Sequence, residues 1–330
     1  MSIKIIGTGS FVPEKVVTNK DLEAMVDTSD EWITTRTGIR ERHIADKGVC
    51  TSDLAEQAAR RALDMAGIKP EQLDLISIAT ATPDMVFPST ACILQKKIGA
   101  VNAACYDLVA ACTGLIYSLE VAYSLLKAFP RKYRYALVLG ADKLSSIVDW
   151  TDRTTCVLFG DGASAVVLEN NPEDNDPDFV VESKIGANGN YADLLKLPGG
   201  GSVAPASHET VDQHLHFIKM AGKEVFKLAV GGLVDSCKTV LSASGVKPEE
   251  VAWVIPHQAN MRIISAAAQR LDLPVDRVYV NIERYGNTSA ASIGICLDEL
   301  CRAGKLKHGD YILTTAFGGG LTWGAMLIRW

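Results

Sequence analysis

Short apolar runs alternate with longer stretches in which apolar residues recur every three or four positions. The short runs read as strands: Ile3–Gly7, Leu75–Ala79, Ala103–Leu108, Tyr135–Gly140 and Ala163–Glu169 in the first half of the chain. The second half offers Val180–Ile185, Trp253–Pro256, Val278–Val280, Tyr311–Ala316 and Gly324–Arg329. The longer stretches read as helices over Ser52–Ala66, Ser89–Ile98, Thr113–Ala128, Phe217–Ser242, Met261–Leu271 and Ser289–Ala303. Alternation of this kind predicts an α/β fold with mixed sheets, five strands to each half. Thr28–Glu31 matches a capping box and predicts a short helix containing Trp32.

The pattern repeats. AGIKPEQLDLISI from Ala66 is echoed by SGVKPEEVAWVIP from Ser244: a helix end, a glycine, a Lys-Pro-Glu turn and an apolar strand. Gly67 and Gly245 suit the left-handed position after a helix, and the following proline cannot continue it. A second echo closes each half, FGDGASAVVLE from Phe159 and FGGGLTWGAMLIR from Phe317. The same order in both halves predicts a duplicated unit, 1–172 and 173–330. The acidic, proline-containing ENNPEDNDPD from Glu169 reads as their exposed connection, and LPGGGSVAP from Leu197 as a second long loop.

Composition narrows the class. A chain of 330 residues with 48% hydrophobic and 22% charged residues is that of an ordinary globular protein. A net charge of −6 argues against general nucleic-acid binding. No apolar run has membrane-spanning length, and MSIKIIGTGS reads as a strand rather than a signal peptide. The eight cysteines form no C-x-x-C pair, which suggests free thiols in a reducing compartment and places the protein in the cytoplasm.

Candidate chemistry gathers where strands meet helices. Cys112 lies between a strand and the helix at Thr113, and unpaired N–H groups at a helix N-terminus favour a thiolate. The expectation is a lowered thiol pKa and a nucleophile; the other reading is a small buried hydrophobe. His257 follows strand Trp253–Pro256 and suits chemistry at a strand's carboxyl end, although a loop histidine bonded to the backbone reads equally well. Asn287 precedes a helix, where it is a candidate N-cap as well as an oxyanion donor. Gly318, Gly319 and Gly320 would let backbone N–H groups approach a reacting oxygen, or simply make a tight hairpin. Together a thiolate, an imidazole, an amide and backbone donors suit acyl transfer through a thioester. His208, His214 and His216 complete no ligand spacing, so no metal is expected.

These blocks resemble the β-ketoacyl-acyl-carrier-protein synthase III family, the initiating condensing enzymes of fatty-acid synthesis. The resemblance rests on TRTGIRERHIA from Thr35, the block around Cys112, TDRTTCVLFGDGA from Thr151 and MAGKEVFKLAV from Met220. HQANMRIISAA from His257, YGNTSAASI from Tyr285 and AFGGGLTWG from Ala316 extend it nearly end to end. It implies a thiolase-like fold of two pseudo-symmetric halves. It implies that Cys112 takes an acyl group, most simply acetyl, from acyl-coenzyme A, and that His257 and Asn287 support decarboxylation of malonyl-carrier protein. The N–H groups of Cys112 and Gly319 would form the oxyanion hole. Trp32 and Arg153 match a pair that sandwiches the coenzyme A adenine, and Thr28, Arg36, Gly222 and Asn260 match positions along the coenzyme arm. Phe87 matches a residue closing the partner subunit's acyl tunnel, so a homodimer is implied; its plainer reading is core packing. Arg262 matches a contact for the acyl carrier protein, and Lys219, Lys223 and Lys227 could extend a basic helix face. No metal or redox cofactor is implied. Glu169–His216 looks longer than in typical members.

Three other readings differ in chemistry. Papain-like proteases also run Cys, His, Asn, but AACTG around Cys112 lacks their local signature. A dinucleotide fingerprint after the first strand fails, because Val12 stands where a third glycine is needed. A relative with the same Cys-His-Asn set but a branched or aromatic primer, serving a secondary metabolite, is the nearest alternative. Elongating synthases and thiolases use a second histidine or cysteine where this chain has Asn287.

Overall fold

The computed structural model describes residues 2–330. Its first sheet joins β1 (Ser2–Phe11), β4 (Leu75–Ala79), β5 (Ala104–Leu108), β6 (Tyr135–Asp142) and β7 (Gly162–Asn171), in the order β1-β7-β6-β4-β5. Its second sheet joins β8 (Val180–Ala187), β11 (Val251–Pro256), β12 (Tyr311–Gly318) and β13 (Thr322–Arg329), in the order β11-β12-β13-β8. Two short ribbons pair β2 (Val16–Thr18) with β3 (Glu41–His43), and β9 (Leu195–Lys196) with β10 (Lys219–Met220).

The two large sheets follow one plan. β4 runs parallel to β6, which is antiparallel to β7, which is antiparallel to β1. Likewise β11 runs parallel to β12, then β13 and β8 follow antiparallel. The second sheet has four strands rather than the expected five. Val278–Val280 is not a strand; Val278 makes a lone parallel bridge to Val254, in the place β5 takes beside β4.

Helices Gly114–Ala128 and Ser292–Arg302 form the middle layer. Leu115, Leu119 and Leu126 of the first, and Ile293, Leu297 and Leu300 of the second, pack in one core with residues of both sheets. The outer faces are covered by Thr51–Ala66 and Thr90–Ile98 on one side, and by Gly222–Ser244 and Met261–Arg270 on the other. Five alternating layers result. A strand covered on both faces reads as an uninterrupted apolar run, as in β6, where every residue is buried. Gly67 and Gly245 adopt the expected left-handed caps, at φ 67° and 71°.

Two local expectations fail. The helix expected from Phe217 begins at Gly222, because Lys219 and Met220 pair with β9. Lys219 is therefore on a strand, while Lys223 and Lys227 remain on the helix. The cap of helix Asp30–Thr37 is Ser29, not Thr28; the Ser29 hydroxyl accepts from the Trp32 N–H at 3.1 Å. Among the described residues, no helix is long and apolar enough to cross a membrane.

Candidate active site

Two turns face each other at the centre. After β5, a 3-10 turn at Ala111–Thr113 carries Cys112 into helix Gly114–Ala128. In the second half, a 3-10 turn at Ser289–Ala291 leads into helix Ser292–Arg302. Each turn opens on a non-glycine residue in the left-handed region, Ala111 at φ 46° and Ser289 at φ 49°. Such a conformation costs about 1–3 kcal/mol and persists where surrounding packing enforces it. The turns pack together, the first against β12 and the second against β6, which makes Ala290 the positional counterpart of Cys112.

A cavity of about 500 Å³ opens onto these turns. Cys112, His257, Asn287 and Gly319 all line it, so three side chains separated in sequence share one space. Much of the remaining wall is apolar, with Leu144, Ile147, Phe159, Ile218 and Phe317 among its residues.

The surroundings of Cys112 work against the expected ionisation. Burial pushes its thiol up to about 12, and the nearby Asp142 carboxylate adds to the shift. A hydrogen bond from Ser289 opposes it without prevailing. Withdrawing the sulfur from water disfavours the charged form more than the following helix favours it. This shift favours the neutral Cys112 thiol at neutral pH. Asp142 is itself buried, accepting from the Ala81 N–H at 2.7 Å and the Thr82 hydroxyl at 3.0 Å. Burial raises its pKa above the ordinary carboxylate value.

His257 leaves the end of β11 with its backbone N–H bonded to the Thr315 carbonyl at 2.7 Å. The residue is only 4% exposed, and burial lowers its imidazole to about 3. The ring is therefore neutral, with Nδ1 2.7 Å from Ser292 Oγ and Nε2 without a protein partner among the described residues. Asn287 is held by its own loop: its Oδ1 accepts from the Ser289 N–H at 2.9 Å. That bond commits the oxygen and turns the Nδ2 donor to the cavity. The N-cap position of the following turn is Thr288 rather than Asn287, whose bond to the Ser289 N–H is a contact within its own loop.

The glycine turn closes the other side. A Cβ built on Gly318 would lie 2.9 Å from the Cys112 backbone nitrogen and 3.2 Å from that of Thr113, so a side chain there would displace the turn that carries Cys112. Gly319 lines the cavity beside it.

The remaining candidates divide. Gly222 and Asn260 line the cavity. Asn260 also caps helix Met261–Arg270, accepting from the Arg262 N–H at 2.8 Å and donating to the Arg36 carbonyl at 3.1 Å. Trp32 lies outside the cavity wall, with the guanidinium groups of Arg36 and Arg153 4.6 and 5.4 Å from its ring. Arg153 is also tied to the Asp27 carbonyl at 2.7 Å. Thr28 has a buried hydroxyl with no protein partner. Arg262 stacks 5.6 Å from Phe226, itself a lining residue, which places it at the rim. Phe87 is 83% exposed, which excludes core packing. Sequence reasoning missed Ala111, Asp142, Ser289 and Ser292. The serines lay in the block already singled out around Asn287, but nothing in their spacing signals these contacts.

Comparison with known proteins gives consistent likenesses. Residues 106–189 match the family described as 3-oxoacyl-[acyl-carrier-protein] synthase III, and residues 241–330 match its C-terminal region. The chain is similar to the β-ketoacyl-[acyl-carrier-protein] synthase III of Caldanaerobacter subterraneus, with 54% identity over 326 residues, 99% of this chain and 97% of the relative. A crystal structure of 3-oxoacyl-[acyl-carrier-protein] synthase III from Aquifex aeolicus superposes with a TM-score of 0.91 at 50% identity, covering 100% of both chains. The priming β-ketosynthase of the R1128 polyketide pathway shares the fold at a TM-score of 0.91 but only 31% identity, covering 99% of this chain and 96% of that one.

Proposed function

This chain belongs to the 3-oxoacyl-[acyl-carrier-protein] synthase III family, and on that footing we propose that it condenses a short acyl-coenzyme A, acetyl in the first instance, with malonyl-acyl-carrier protein. The product is a β-ketoacyl-carrier protein, the first elongation of fatty-acid synthesis. The observation that carries this reading is the convergence of Cys112, His257 and Asn287 on one cavity beside the glycine turn.

In the first stage the Cys112 sulfur attacks the thioester carbonyl carbon. The N–H groups of Cys112 and Gly319 receive the oxyanion, the bond to coenzyme A sulfur breaks, and the thiol proton ends on that departing sulfur. In the second stage the malonyl carboxylate leaves as carbon dioxide. Its bonding electrons pass to the thioester enolate, whose oxygen is held by His257 Nε2–H and Asn287 Nδ2–H. The carbanion carbon attacks acyl-Cys112, and the released sulfur takes a proton from water. Burial keeps His257 neutral, so it donates here only in its Nε2–H form. None of these steps calls for a metal or redox cofactor.

We assign the coenzyme arm to Thr28, Trp32, Arg36, Arg153, Gly222 and Asn260, and the carrier-protein contact to Arg262 and Lys223. A homodimer is supported by β5, an edge strand of the first sheet, and by exposed Phe87 nearby in sequence. Val109, 77% exposed just after β5, also lines the cavity, so a partner's Phe87 at this edge would close it. The halves are assigned to 1–172 and 173–330, and eight free cysteines favour the cytoplasm. The test is a primer screen. Incubation with acetyl-, branched and aromatic acyl-coenzyme A should give an acetyl adduct on Cys112 by mass spectrometry; preferential labelling by a branched or aromatic primer would reject the acetyl assignment.

A further inference from the structure

The buried His257 ring is held by a residue outside the set of three. Ser292, the first residue of helix Ser292–Arg302, is almost wholly buried, and its Oγ has two partners. The Gln258 N–H donates to it at 3.3 Å, and His257 Nδ1 lies 2.7 Å away. A backbone N–H can only donate, so this contact uses one lone pair of Oγ and leaves the hydroxyl proton to be placed. Given to Nδ1, it satisfies the hydroxyl and the ring nitrogen together. The opposite arrangement, with Nδ1–H donating to Oγ, strands a buried hydroxyl proton, while Nε2 lacks a protein partner among the described residues in either form. Leaving a buried polar group unpaired is costly enough to set the balance between tautomers.

We propose that Ser292 is a positioning residue that fixes His257 as its Nε2–H tautomer, so that the imidazole presents a donor rather than a lone pair to the malonyl thioester oxygen. This rests on the proposed role of His257 and extends it, because a donor is what the departing carboxylate's electrons require at that oxygen. The neutral state of the ring makes the tautomer decisive: a doubly protonated imidazolium would donate from Nε2 whatever Ser292 did.

The test uses the full-length protein labelled with 15N-histidine, with the His257 resonances identified by their loss in His257→Gln. The wild type should show an unprotonated Nδ1 and a protonated Nε2 at neutral pH; a protonated Nδ1 overturns the proposal without recourse to any further variant. In Ser292→Ala the Nε2–H tautomer should lose its dominance. Malonyl-carrier-protein decarboxylation should fall by roughly tenfold to a hundredfold, while acylation of Cys112 by acetyl-coenzyme A changes less than about threefold. Ser292→Thr, which keeps the hydroxyl, should restore both tautomer and rate. An unchanged tautomer in Ser292→Ala, or equal loss of acylation and decarboxylation, overturns the proposal. A shifted tautomer with an unchanged decarboxylation rate overturns instead the role given to His257.

Discussion

The Cys112 sulfur illustrates how burial can reverse a local electrostatic expectation. A cysteine ahead of a helix reads as an activated thiolate, yet enclosure by protein and the facing Asp142 hold it as a thiol with a pKa near 12. Below its pKa the ionised fraction rises about tenfold per pH unit. Alkylation of Cys112 by iodoacetamide should therefore keep accelerating through pH 9, with no acid limb from His257, which stays neutral down to about pH 3. A rate that levels off near pH 7 would show a sulfur already ionised. Asn287→Ala removes one oxyanion donor and should slow decarboxylation roughly a hundredfold or more. Single-turnover acylation should be spared, and equal loss of both steps would count against the assignment. Cys112 and His257 were legible as candidates because each follows a strand, and Asn287 because it precedes a helix. The environment of the sulfur was not, since the groups that set it, Asp142 and Ser289, come from distant segments.

Elements were legible where local chemistry decides them. Gly67 and Gly245 end their helices where the Lys-Pro-Glu turns said they would. Lys219 was misplaced because its strand depends on pairing with Lys196, a contact no local window contains. Val278–Val280 has a strand's composition but gains only one bridge. The left-handed Ala111 gives no signal, because alanine is not the residue such a backbone calls for. The glycine turn makes the clearest test at this scale. Gly318→Ala drives a methyl group against the Cys112 nitrogen and should slow acylation by roughly tenfold or more. Wild-type acylation in this variant would show that the two turns give way freely.

At the scale of the whole molecule, the proposed carrier-protein contact lies apart from the cavity wall. Arg262 sits at the rim over Phe226 rather than in the cavity wall. Arg262→Glu should raise the KM for malonyl-carrier protein, most at low salt, and leave acylation by acetyl-coenzyme A within about twofold. Steady-state kinetics with both substrates read this directly, and an unchanged carrier-protein KM would remove the contact. Phe87→Asp places a charge on an exposed apolar residue near an edge strand and should shift the protein toward monomer in light scattering. A variant that keeps the wild-type mass would mean that the subunits associate through another face.

The matched turns have one last consequence. Each half offers the same pedestal, but only one bears sulfur; Ala290 leaves the other chemically blank. On the proposed mechanism both carriers must reach this one sulfur, so the first must vacate before the second arrives. Turnover is then a strict queue, and double-reciprocal plots at several fixed concentrations of the second substrate should run parallel.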